Sequence, residues 1–132
     1  MSDQEAMTRS KGQWVGAFFE DVDKLDLPTM MKWFADDIEL RIGNQPPARG
    51  YAAVEQSFAE FLPNLSGMAH QPIELFVSED DRGAAQMATV SYTRKGDGKV
   101  VTLPVATHLR RNAAGKFDRL WIYIDINPLF AE

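Results

Sequence analysis

The sequence predicts an α+β fold, a cone-shaped barrel in which three N-terminal helices pack on a curled, mainly antiparallel β-sheet. Apolar residues recur at helical spacing as far as Pro63 and at alternate positions from there onward. Two of the alternating runs exceed the usual strand of about six residues, so the sheet they build must twist and curl. Size fits as well: 132 residues, 45% hydrophobic, suit one domain, residues 1–132, that buries roughly two-thirds of its unfolded surface around a single core.

In chain order, GQWVGAFFEDVDKL (12–25) places Trp14, Val15, Phe18, Phe19, Val22 and Leu25 on one stripe, with Glu20, Asp21 and Lys24 opposite. That spacing predicts an amphipathic helix. Asp26 is the expected N-cap of a second, short helix with Pro28 in its first turn, where the missing N–H costs nothing, and with Met30, Met31, Trp33 and Phe34 turned inward. Ile38, Leu40 and Ile42 alternate with Glu39 and Arg41, which reads as a half-buried strand closed by the loop GNQPPARG. The third helix runs from Ala52 to Leu62, packs Val54, Phe58, Phe61 and Leu62, and stops at Pro63. Strands are then expected at 72–78, 84–94, 99–111 and 116–126, joined by EDDRG, KGDG and NAAG turns. Helices on the concave side of such a sheet make a cone, and a cone can hold a small molecule.

Composition excludes several functions. A net charge of −5 without a basic stripe argues against nucleic acid and anionic membrane as partners. There is no run of eighteen apolar residues and no basic start leading into an apolar core, so a cytoplasmic location is expected. The absence of cysteine removes disulfides, thiol nucleophiles and cysteine metal sites. Two histidines without a paired motif are too few for a zinc site, EDDRG is too short for a calcium loop, and neither GDG nor NAAGK has the strand-turn-helix setting of a phosphate loop. No metal or cofactor is expected.

The order of elements, the segment LDLPTMMKWFADDIEL, the helix start GYAAVEQSF, the hairpin LPVATHLRRNAAGKFDRLWIYID and the closing NPLF together resemble the nuclear transport factor 2-like superfamily, in particular its SnoaL-like branch. The resemblance covers residues 12 to 130 and implies the cone fold. It does not imply one reaction, because that superfamily holds isomerases, dehydratases, cyclases, epoxide hydrolases and silent binding modules. With ADD and N-x-x-G-K as anchors, the three acting positions of ketosteroid isomerases fall on Phe18, Ile42 and Thr107, which cannot do that work. The acid-arginine-acid set of limonene-epoxide hydrolases falls on Val90, Tyr92 and Ile122, so that reaction is absent too.

The same alignment turns Ile38, Leu40 and Ile42, Ala88, Val90 and Tyr92, Leu103, Val105, Thr107 and Leu109, and Leu120, Ile122 and Ile124 inward. Trp14, Phe18, Phe34, Leu40, Ile42, Phe58, Phe61, Val90, Val105, Thr107 and Ile122 are the expected ligand-binding wall, much of which must also serve as core. Two polar candidates stand inside it. His70, near where scytalone dehydratase-like members carry a catalytic histidine, is the candidate acid or base; the plainer reading is a partly exposed histidine opening a strand. Tyr92 is the candidate hydrogen-bond donor, or simply core. Asp36 and Asp37 read as a structural pair at the strand entry.

Alternation in WIYIDI puts Ile122, Ile124 and Ile126 on one face and Trp121, Tyr123 and Asp125 on the other, beside His108 and Arg110. This aromatic-rich outer face is the expected homodimer interface. Two functions remain open at this level. One is a cofactor-free isomerase, cyclase or dehydratase acting on a small hydrophobic carbonyl compound; the other is a non-catalytic binding or accessory module using the same cavity.

Overall fold

A computed structural model describes residues 11–131. Its first helix, α1 (Gln13–Val22), buries Trp14, Val15, Phe18, Phe19 and Val22, the stripe expected from their spacing. Asp26 caps α2 (Leu27–Met31) by accepting the Thr29 N–H at 3.2 Å, with Pro28 in the first turn. The helix is shorter than expected. Phe34 opens strand β1 (Phe34–Ile42) opposite Phe117, and its ring stacks on Phe58, so pairing and packing outweigh helical continuity there.

After the two-residue β2 (Ala48–Arg49) comes α3 (Tyr51–Phe61), which a short 3-10 turn at Leu62–Asn64 ends at Pro63. Four longer strands follow: β3 (Leu65–Val77), β4 (Gly83–Arg94), β5 (Val100–Arg111) and β6 (Phe117–Tyr123). A last turn of helix is α4 (Asn127–Phe130). Strand β3 begins at Leu65 rather than Pro72, which places His70 in mid-strand. It lies at the edge of the sheet, where Gly67 and Pro72 are tolerated, and Pro72 sits at a register shift. At the other end β6 stops at Tyr123, short of Ile126. Its neighbour β1 turns away at Gly43, whose φ of 54° and close approach to the Ile124 carbonyl leave no room for a Cβ.

The strands form one mixed sheet in the order β2-β1-β6-β5-β4-β3. From β3 to β6 it is the expected antiparallel meander, whereas β1 joins β6 in parallel through Leu40 opposite Leu120 and Ile42 opposite Ile122. The sheet is not closed into a barrel, because β2 and β3 remain as its two edges. The helices cover its inner face. Phe18 is the centre of that packing, with its ring 4.8 Å from Phe117 and 5.6 Å from Trp33, both edge-on. Among the described residues no helix is long and apolar enough to cross a membrane.

A candidate apolar cavity with a histidine-aspartate pair

Beneath the helices the sheet leaves a cavity of about 50 Å³, lined on its apolar sides by Phe18, Phe19, Phe58, Phe61 and Ile122. His70, Tyr92 and Thr107 supply its polar wall. A cavity that holds benzene measures roughly 150 Å³, so this one admits a ligand only by opening. Ile42, Phe61 and Ile126 separate it from a second depression of about 160 Å³ that also touches Leu40 and Ser57. Phe61 ends α3 and is only half-buried, with its ring edge-on to Tyr92 at 5.9 Å and to Phe130 at 6.4 Å.

Nine of the residues expected at the site meet around this cavity: His70, Tyr92, Phe18, Ile42, Phe58, Phe61, Val105, Thr107 and Ile122. Four do not reach it. Trp14 is tied by its indole N–H to Asp81 at 3.0 Å, Phe34 is stacked on Phe58, Val90 is wholly enclosed, and Leu40 faces the second depression. Phe19, Val22, Met30, Met68, Leu120 and Ile126 also line the cavity, although none of them was named for the ligand-binding wall.

His70 is held at three points. Its backbone N–H donates to Asp23 Oδ2 at 2.9 Å, its ring Nδ1 meets Asp23 Oδ1 at 2.6 Å, and Phe19 lies against the ring at 4.7 Å. The histidine side chain is only 9% exposed. A carboxylate has no proton to offer, so Nδ1 is the donor, and Nε2 is the ring atom left to exchange a proton with a ligand. Among the described residues Nε2 has no protein partner.

Asp23 was missed by the sequence reading, although a signal existed. It follows Phe19 by four positions and so falls on the buried stripe of α1, where an acid is out of place. As the C-cap of that helix it also sits at the end whose dipole disfavours a negative charge. A residue that breaks two local rules is one whose position is set from elsewhere in the fold.

Tyr92 is 6% exposed, and burial, aided by the charge of Asp23, pushes its phenol up to about 12. It therefore remains protonated at neutral pH and keeps an O–H that a ligand oxygen can accept from. His108 and Trp121 lie on the outer face, with ring centroids 5.6 Å apart. Trp121 has the guanidinium groups of Arg41 and Arg119 at 4.8 and 4.2 Å over its ring, and its indole N–H donates to Glu39 at 2.9 Å. Burial first, then Arg119 and Arg110, hold His108 below the usual histidine range. Asp125 is exposed and accepts the Asn127 N–H at 3.1 Å just ahead of α4. Among the described residues no group of three or more histidine, aspartate or glutamate side chains could hold a metal ion.

Comparisons with known proteins agree with this architecture. SalBIII, an epoxide hydrolase/cyclase-like enzyme of pyran ring formation in the polyether salinomycin, superposes with a TM-score of 0.76 at 15% identity over 96% of both chains. A protein from Shewanella denitrificans described as a SnoaL-like polyketide cyclase gives a TM-score of 0.76 at 11% identity, covering 91% of this chain and 93% of its own. TerC, crystallised with polyporic acid, gives 0.70 at 18% identity, covering 88% of this chain and 92% of its own. No curated protein matches by sequence. The model of the SnoaL-like domain matches residues 15–120, most of the length, and the chain accordingly belongs to the SnoaL-like family within the nuclear transport factor 2-like fold.

Proposed function

We propose that the protein binds a small hydrophobic carbonyl compound in the cavity under α1 and α3 and moves a proton on it without a cofactor, as an isomerase, cyclase or dehydratase does. The observation that carries this reading is the His70–Asp23 pair, 2.6 Å apart and facing an apolar cavity beside a protonated tyrosine. In this reading Nε2 of His70 removes a proton from the carbon next to the carbonyl. The imidazolium that forms is balanced by the Asp23 carboxylate. The Tyr92 hydroxyl donates to the oxygen on which negative charge develops, an interaction strengthened where water is excluded. The proton then returns to a different atom, carbon in an isomerisation or the oxygen of a departing hydroxyl in a dehydration. SalBIII, which takes part in pyran ring formation, and proteins described as polyketide cyclases share this fold, which supports a reaction of the cyclase kind.

The test is exchange with solvent. In D2O the protein should catalyse deuterium entry into the acetyl methyl of 2-acetylnaphthalene, read by mass spectrometry. His70→Ala should abolish the exchange and Asp23→Asn should lower its rate by about 100-fold, within the range general acid-base groups contribute. A second reading rests on its own observation: Asp23 binds both the ring and the backbone N–H of His70, which is also how α1 would be fastened to β3. A non-catalytic binding module would bind the ketone and show no exchange above that of the His70→Ala variant. A homodimer through the face of Trp121, Tyr123 and His108 belongs to the same proposal, supported by Tyr123 being 59% exposed there.

A further inference from the structure

Gln86 is 3% exposed, and its amide Nε2 is buried without a hydrogen-bond partner among the described residues. An orphaned amide of this kind works against folding, and an apolar residue of the same shape would avoid the problem. Its place in the sheet is informative. Gln86 of β4 stands opposite Thr107 of β5, Thr107 opposite Ile122 of β6, and Ile122 opposite Ile42 of β1. Three of these four positions, all but Gln86, line the cavity. On the same face of β4 the neighbours of Gln86 are Ala84 and Ala88, both small, which leaves the long side chain space to lie along the sheet. Thr107, also 3% exposed, brings its hydroxyl to the same strand row and borders the cavity.

We propose that Gln86 and Thr107 form a second polar subsite of the cavity, one that recognises an oxygen function at the end of the ligand remote from His70 and Tyr92. The proposal rests on the ligand-binding reading above and adds to it the substrate class, an apolar compound oxygenated at both ends. The amide nitrogen donates, and the threonine hydroxyl donates or accepts, so a ligand hydroxyl or carbonyl satisfies both. The terminal amide torsion is broad, so the nitrogen is free to turn toward a ligand oxygen. The spacing fits two poles. His70 stands opposite Val90, four residues along β4 from Gln86, which at about 3.3 Å per residue sets the two polar rows on the order of 13 Å apart at the backbone. Side chains reaching inward from both rows shorten that span to the length of a fused two-ring compound, which enters as the cavity opens between Thr107 and His70. An oxygen recognised this way discriminates strongly, since a ligand lacking it leaves the buried polar groups unpaired again.

The experiment compares two probes, 2-acetylnaphthalene and its 6-hydroxy derivative, which differ only in an oxygen at the far end of the ring system. Affinity is measured by fluorescence titration of the full chain, for the unaltered protein and for Gln86→Met and Thr107→Val. The expected result is at least a tenfold preference for the hydroxylated ketone in the unaltered protein. Gln86→Met should erase the preference and raise the urea midpoint, because it removes the orphaned donor; a side chain with only a structural role would lower that midpoint. Thr107→Val should narrow the preference, and provides the same readout if Gln86→Met does not fold. Equal binding of the two probes, or a preference that survives both substitutions, overturns the subsite while leaving the ketone-binding reading intact. Failure of both probes to bind overturns both.

Discussion

With burial holding the Tyr92 phenol at about 12 and the unfolded value near 10, the unfolded chain gives up this proton first as the pH rises. The stabilisation tied to the protonated phenol is therefore complete below about pH 10 and is lost as the pH climbs through about 12, a loss on the order of 2 kcal/mol. Tyr92→Phe has no such proton. Its urea midpoint should fall less steeply between pH 10 and 12 than that of the unaltered protein, and parallel slopes would show that the phenol is not buried in this way. The same substitution removes the donor proposed for the developing oxyanion, so proton exchange on a bound ketone should slow while stability at neutral pH changes little. At this scale the sequence identified His70 and Tyr92 as chemical candidates. It did not identify Asp23 as the partner or Gln86 as the orphan, since each is defined by a neighbour distant in the chain.

Among the elements, the start of α1 is fixed by one residue of the β3–β4 turn. Asp81, itself at a positive φ of 60°, accepts the Gly12 N–H at 2.9 Å and the Trp14 indole N–H at 3.0 Å through one carboxylate oxygen. Its other oxygen meets Arg111 at 3.0 Å, and that guanidinium lies 4.6 Å over the Trp14 ring. Three elements converge on a single side chain. Asp81→Ala should lower stability by about 2 kcal/mol, because two partly buried donors lose their acceptor and a residue poorly suited to positive φ replaces one that tolerates it. Asp81→Asn keeps one oxygen and the backbone tolerance and should retain about half of that stability. Urea denaturation of the two variants checks the ordering; an alanine variant as stable as the asparagine variant would mean that the turn holds without this contact. The sequence marked EDDRG as a turn and α1 as a helix but gave no sign that they touch.

For the whole molecule, the open sheet exposes an outer face whose occupant decides the assembly. The face is less bare than its aromatic residues suggest, because Trp121 is covered by Arg41 and Arg119 and bonded to Glu39. A carboxylate introduced at Trp121 would find those guanidinium groups, so the sharper probe is Tyr123, which is 59% exposed. If the proposed homodimer forms there, Tyr123→Glu should convert it to monomer by burying an unpaired charge, at a cost of several kcal/mol. Sedimentation at micromolar concentration reads the result, and a monomeric unaltered protein would rule out the interface.

The local grammar of the chain was sufficient for the elements. A stripe every three to four residues, a cap at Asp26, a stop at Pro63 and alternation thereafter are written in contiguous residues, and they specified helices and strands, while the family resemblance indicated which strand face turns inward. Boundaries shifted where pairing overrode that grammar, as at Phe34, where β1 meets β6, and at Leu65, where an edge strand tolerates glycine and proline. Only the tertiary structure decided the parallel union of β1 with β6, the openness of the sheet, the volume left beneath the helices and the joining of Asp23 to His70 across 47 positions. The physical reason is one of range. Propensity and periodicity act within a turn or a strand, whereas register, close packing and the pairing of distant polar groups exist only once the chain has brought remote residues to the same place.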